Sequence, residues 1–189
     1  MNNIKLLVGL GNHGNEYCYT RHNVGFWFID RYIEVNNVIK TNNSMFDAIV
    51  NTHMYKNYKI FLIKPHKYMN LSGEVVLAIK NFYKIDIENI IVIHDEISFN
   101  PGIIKFKQGG GDNGHNGLKN ISKLIGNNYL RLRCGIGEPN DRSKLINHVL
   151  SKPNDSEYNL IITSIDKSLQ VIKDVFDGQL NNAMKQLHT

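Results

Sequence analysis

Two stretches of this chain carry the side chains best suited to chemistry. The first runs Gly9-Leu10-Gly11-Asn12-His13-Gly14-Asn15-Glu16-Tyr17 and continues through Thr20-Arg21-His22-Asn23. The second is Gly109-Gly110-Gly111-Asp112-Asn113-Gly114-His115-Asn116-Gly117. Each sets amides and a histidine on glycine-rich backbone. Such groups hold and attack a polar substrate, and a core needs none of them.

His22 leads the candidates. It follows a loop rather than interrupting an apolar stripe, and an unperturbed imidazole pKa of about 6.5 suits a general base. Its competing reading is a loop histidine that faces solvent or caps the next helix. Asp95 follows the apolar run Ile90–Ile93, where a buried strand should emerge. A carboxylate there can hold a histidine in one tautomer and stabilise its protonated form. A turn or capping aspartate is the alternative. His94 could serve as base instead, but alternation along a strand predicts that His94 and Asp95 face opposite sides. Asn12, Asn70 and Asn116 each stand at the mouth of an apparent element. An amide can donate to a carbonyl oxygen or steady an oxyanion; equally, each could be a cap or turn residue.

Covalent and metal chemistry find little support. The chain has no G-x-S-x-G elbow, and Cys18 lacks the setting of a thiol enzyme. Cys18 and Cys134 show neither metal spacing nor a disulfide framework, and the eight histidines form no H-E-x-x-H. Water activated by His22 is the natural nucleophile. Gly9-Leu10-Gly11-Asn12-His13-Gly14 does fit G-x-G-x-x-G after a strand-like run, the pattern of a nucleotide-dependent oxidoreductase. A dinucleotide fold would open a helix at the last glycine, whereas Asn15–His22 has no helical spacing.

The elements that must position these residues alternate. Strands are expected at Ile4–Val8, Phe46–Met54, Lys59–Ile63, Ile90–His94, Ile103–Lys107 and Leu130–Ile136. Helical spacing covers Val24–Val35, a run through Val75, Val76, Ile79 and Phe82 that Ser72 could cap, and a short helix after Asn116-Gly117. A tail from Ser156 places Leu160, Ile161, Ile165, Leu169, Ile172 and Phe176 on one stripe. The pattern predicts one domain over 1–189, an α/β sandwich with a central mixed, mostly parallel twisted sheet flanked by helices. Function in such sheets sits beyond the strand ends.

At 189 residues and 42% hydrophobic, with four prolines, the chain suits an ordered globule. Leu6-Leu7-Val8 is too short for a signal peptide or membrane span, and a cytoplasmic protein is expected. The net charge of +5 is concentrated. Between Pro101 and Cys134, Lys105, Lys107, Lys119, Lys123, Arg131 and Arg133 face only Asp112, so this segment holds as much excess as the whole chain. Such charge beside a glycine loop suits a phosphate-bearing partner; a solvated basic face is the bland alternative.

Taken together, the chain resembles the bacterial peptidyl-tRNA hydrolases. The resemblance rests on Val8-Gly9-Leu10-Gly11-Asn12, Tyr17, Thr20-Arg21-His22-Asn23, Met69-Asn70-Leu71-Ser72-Gly73 and His94-Asp95-Glu96. It continues through Pro101-Gly102, Lys105-Phe106-Lys107, Gly109-Gly110-Gly111, Gly114 to Lys119 and Arg131-Leu132-Arg133 before Gly135-Ile136-Gly137. It implies hydrolysis of the ester joining a peptide C-terminus to the 3′-ribose of tRNA. His22 would be the base, Asp95 its support, and Asn12 the group that tells N-blocked peptidyl-tRNA from free aminoacyl-tRNA. Tyr17, Tyr68, Met69, Asn70, His115 and Asn116 would line the substrate site. Lys105, Lys107 and Arg133 would meet tRNA phosphate. The resemblance further implies a monomer without metal or cofactor, partnered by tRNA and not by DNA or membrane. A non-catalytic RNA-binding protein on the same scaffold is the alternative, although it would place no demand on Asn12, His22 and Asp95. Three positions depart from the common pattern: His13 stands where proline is frequent, Tyr68 where phenylalanine is, and Asp112-Asn113 where His-Gly is.

Overall fold

A computed structural model describes residues 3–41 and 44–188. Among the described residues, seven strands form one sheet: β1 (Leu6–Gly9), β2 (Ser44–Met45), β3 (Ala48–Tyr55), β4 (Tyr58–Pro65), β5 (Ile90–Glu96), β6 (Ile104–Gln108) and β7 (Leu130–Gly135). Their order is β2-β3-β4-β1-β5-β7-β6. The central strands β4, β1, β5 and β7 run parallel, with β3 and β6 antiparallel beside them. This is the mixed, mostly parallel sheet expected from the alternating pattern.

Strand alternation sorts the core into two layers. Leu7, Ile91 and Ile93 face one side, packed with Phe28 and Tyr32 of α1 (Val24–Val35) and Ile165 and Phe176 of α5 (Asp155–Phe176). Leu6, Val8, Ile90 and Val92 face the other, against Val76 and Ile79 of α2 (Ser72–Phe82) and Leu118 and Ile121 of α3 (Asn116–Ile125). Helices therefore cover both faces. The remaining helices are α4 (Leu145–Val149) and α6 (Leu180–Leu187).

Several boundaries differ from expectation for identifiable reasons. The strand expected from Phe46 begins at Ala48, because Phe46 and Asp47 take φ of 58° and 54° in a two-residue hairpin between β2 and β3. Ser72 does not cap α2 from outside. It is the first helical residue, led in by a 3-10 turn at Met69–Leu71, and its hydroxyl donates back to the Met69 carbonyl. The C-terminal tail is two helices, with Gly178 at φ 77° between α5 and α6. α5 begins at a capping box in which Asn154 and Glu157 bond each other's backbone N–H. Leu160 lies outside the buried stripe, half exposed.

Strand order places the site. β1 is flanked by β4 on one side and β5 on the other, because the chain winds out to β4 and then crosses back over β1 to β5, which opens a crevice at the carboxyl ends of β1 and β5. α1 starts hard against that crevice. A Cβ on Gly9 would lie 2.3 Å from the Gly25 carbonyl oxygen, and one on Gly25 would lie 2.3 Å from the Leu10 nitrogen. Glycine on both sides is what lets the helix reach the strand end.

Candidate active site

His22 sits in a 3-10 turn, Arg21–Asn23, that runs directly into α1. Asp95 is the penultimate residue of β5, which is buried along its whole length. The two meet across the crevice, with His22 Nδ1 2.8 Å from Asp95 Oδ1. A carboxylate fixes the proton on Nδ1, which leaves Nε2 as the bare lone pair. Burial alone would lower the His22 pKa, but the charge and hydrogen bond of Asp95 outweigh it and hold His22 above its ordinary value. Burial would likewise raise Asp95; the two histidines on it, His22 and His115, hold it far below the usual carboxylate range.

The turn carrying His22 is anchored from behind. The Arg21 guanidinium donates to Ser151 Oγ at 2.7 Å and to Glu157 at 2.6 Å, binding the turn to the start of α5 and to the segment after α4. Asn23 holds the first glycine loop by its backbone. The Asn12 N–H donates to Asn23 Oδ1 at 2.8 Å, and Asn23 Nδ2 donates to the Asn12 carbonyl at 3.0 Å. Asn12 Oδ1 in turn accepts from the Met69 N–H at 2.8 Å. With its oxygen engaged, Asn12 presents its amide nitrogen as a donor. Asn23 escaped sequence reasoning, since nothing in a spacing of eleven residues marks the pair.

His115 Nε2 approaches the same Asp95 oxygen at 3.0 Å, and its Nδ1 accepts from the N–H groups of Gly117 and Leu118 at the start of α3. His94 and Asp95 border one cavity, against the expectation of opposite faces, because the cavity wraps the end of β5. The His94 Nδ1 bonds the Asp95 carbonyl at 2.7 Å, and its ring meets His115 edge-on at 5.2 Å between centroids. Burial, with His115 alongside, lowers His94 to about 3, so it stays neutral and does not compete as base. The cavity, about 100 Å³, is walled by His22, Asp95, Asn113, His115, Asn116 and the apolar Ile146 of α4. Donor atoms of His22, Asp95 and His115 lie within 4.8 Å of one another, a spacing a cation could use. Asp95 Oδ1 already takes a hydrogen bond from each histidine, however, and the His115 nitrogen facing Asp95 carries its hydrogen while the other accepts from backbone. That donor set favours hydrogen bonding over metal ligation.

The basic segment divides between charge at the surface and charge committed to the fold. Lys105 and Arg133 both lie over the Phe99 ring, at 5.6 and 4.4 Å from its centre, and Lys107 is exposed. Arg131 is different: it is buried and donates to the carbonyls of Gly110 and Gly111 at 2.7 Å each, holding the second glycine loop. It is therefore withdrawn from the charge the sequence assigned to a phosphate partner. Asp112, the acid of that loop, lies 3.6 Å from Arg131 and accepts from Ser122. Glu96 pairs with Arg133 at 2.9 Å and accepts from Ser98 and, at 3.2 Å, from Asn113. Burial would raise the Glu96 carboxyl, but the Ser98 bonds and Arg133 keep it below its ordinary pKa.

Other expected site residues stand further out. Asn116 opens α3 at the cavity wall, but the cap is His115 rather than Asn116. Met69 is buried beneath Asn12, whereas Tyr68 and Asn70 on either side of it are exposed. Tyr17 ends the turn Asn15–Tyr17, half-buried. His13 packs against His66 with ring centres 3.8 Å apart, at the rim of a second cavity that Asn12 and Asn23 also line.

Known proteins share this architecture along its length. The peptidyl-tRNA hydrolase family profile matches residues 6–189. A peptidyl-tRNA hydrolase of Acinetobacter baumannii (strain AYE) is 42% identical over 188 residues, covering 100% of this chain and 97% of the relative. One from Neisseria meningitidis serogroup A is 43% identical over 190 residues, covering 100% and 98%. The crystal structure of peptidyl-tRNA hydrolase from Acinetobacter baumannii superposes with a TM-score of 0.96 at 41% identity, covering 100% of this chain and 96% of that one. The chain belongs to the peptidyl-tRNA hydrolase family, whose function is the hydrolysis of peptidyl-tRNA.

Proposed function

We propose that His22 takes a proton from water as that water attacks the ester carbonyl between peptide and tRNA 3′-ribose. The observation that carries this reading is the buried His22–Asp95 bond of 2.8 Å at the mouth of a cavity, which leaves Nε2 as the acceptor. Asp95 steadies the imidazolium that forms, and the proton then passes to the departing ribose oxygen. Asn12, held from both sides by Asn23 and Met69, aims its amide N–H groups at the peptide carbonyl next to the ester, a partner that a free aminoacyl group lacks. Tyr17, Tyr68, Met69, Asn70 and Asn116 frame the acceptor end and peptide. Lys105, Lys107 and Arg133 hold tRNA phosphate, with the acceptor stem laid along β6 and β7. The reading includes a monomer working in the cytoplasm, with no cofactor. It is supported by family membership and by the clustering of the expected residues; nothing favours the non-catalytic alternative.

The test compares one tRNA charged with an N-acetylated amino acid and the same tRNA with a free amine. Release only from the blocked substrate is expected. His22→Ala should lower turnover about 10²–10⁴-fold with tRNA affinity retained. A variant that kept its rate would remove His22 from the role of base.

A further inference from the structure

We infer that His115 is a positioning residue that sets the basicity of His22 by sharing Asp95 Oδ1 with it, rather than a group that contacts substrate. This rests on the proposed role of His22 as base. The geometry is specific. Oδ1 takes a hydrogen bond from His22 Nδ1 at 2.8 Å and another from His115 Nε2 at 3.0 Å. The tautomer of His115 is not free, because its Nδ1 accepts the Gly117 and Leu118 N–H groups at 3.1 and 3.3 Å. An acceptor Nδ1 puts the proton on Nε2, so the neutral ring donates permanently to Asp95. The helix start thus locks the donor, and only 7% of the His115 side chain is exposed, which leaves little of it for substrate.

A second donor on one oxygen draws off part of the charge that Asp95 offers to His22. The carboxylate then supports His22 strongly enough to fix its tautomer, but not so strongly that the imidazole rests protonated and useless as a base. Other ionisable groups around the pair do not substitute for this. His94 is neutral and turned to the Asp95 carbonyl, and the buried thiol of Cys134 on β7 is held protonated. Asp112 and Glu96 line the same cavity but are committed to Ser122 and to Ser98, Asn113 and Arg133. Arg21 faces away, toward Glu157. His148 of α4 turns to the Gly137 carbonyl.

Two substitutions separate tuning from scaffolding. In His115→Asn the amide oxygen falls near the place of Nδ1 and can still cap α3, but the side chain is too short to reach Asp95. In His115→Gln the amide nitrogen falls near the place of Nε2 and restores the donor. The His22 titration, followed by ring ¹⁵N NMR, and the pH profile of kcat/KM on N-acetyl-aminoacyl-tRNA are both measured. In His115→Asn the His22 pKa and the acid limb should rise together by about half a unit to one unit, a roughly three- to tenfold loss of rate at a fixed pH below the limb. In His115→Gln both should return toward the parent values. An unmoved His22 pKa in a folded His115→Asn overturns the proposal, and a raised KM with an unmoved limb assigns His115 to substrate instead. The NMR titration needs no turnover, so failure of the parent protein to cleave the ester would sink the proposed function without touching the shared-oxygen inference.

Discussion

At the residue scale, the chemistry turns on how the protein treats one imidazole. As the proposed base, His22 must be neutral to accept a proton, and Asp95 outweighs burial to hold its pKa above the ordinary value. Activity is therefore lost as pH falls through that raised pKa, and the acid limb of kcat/KM should lie above about 6.5. In Asp95→Asn the charge is gone while the burial remains. The limb should then move below that of the parent, and the plateau should fall by about 10²-fold or more because the tautomer is no longer held. A pH–rate series on both proteins checks this; a limb that stayed in place would separate Asp95 from the base. The types of both residues were legible from sequence, each beside its strand end or loop. Their partnership came from the family resemblance and not from local spacing, for it spans 73 positions.

At the element scale, the site depends on how closely α1 approaches β1. Val24–Val35 reads correctly as a helix from its apolar spacing, yet spacing says nothing of how near the strand it starts. Gly25→Ala would set a Cβ 2.3 Å from the Leu10 nitrogen and 2.5 Å from the Ile93 carbonyl, both backbone atoms that cannot swing aside. The helix would have to lift, taking the His22 turn with it. A stability loss of about 1–3 kcal/mol in urea unfolding is expected, with a fall in turnover larger than the unfolded fraction explains. Wild-type stability in that variant would mean that the approach is looser than described. The second glycine loop shows the same limit of local pattern. Its glycines mark a flexible stretch, but only the fold brings Arg131 to its carbonyls.

At the scale of the whole molecule, charge and chemistry occupy adjoining parts of one surface. Lys105, Lys107 and Arg133 lie on the antiparallel pair β6 and β7, next to the cavity at the end of β5. Removing Lys105 or Lys107 should weaken tRNA binding and lower the magnitude of its salt slope by about one, and removing Arg133, which already pairs with Glu96, should lower it by less. Arg131→Leu should instead leave the slope intact and cost stability, since that buried guanidinium already serves the Gly110 and Gly111 carbonyls. Affinity measured across a potassium chloride series distinguishes them, and a slope change in Arg131→Leu equal to that of Lys107→Ala would refute the division.

What the sequence determined alone was local: alternating apolar strands, a helix at Val24–Val35, glycine loops bearing amides and histidines, and a basic segment. Periodicity encodes which face of a helix is buried, so helices flanking a central sheet followed from it. Only the tertiary structure decided that Asp95 serves two histidines, that Asn12 is gripped through Asn23 and aimed by Met69, that His94 is held out of play, and that one arginine of the basic segment is structural. Those outcomes join segments 57, 73 and 130 residues apart, as in Asn12 with Met69, His22 with Asp95 and Arg21 with Ser151. Contacts at such separations are set by strand order and packing at the β1/β5 crevice, which no local pattern of residues records.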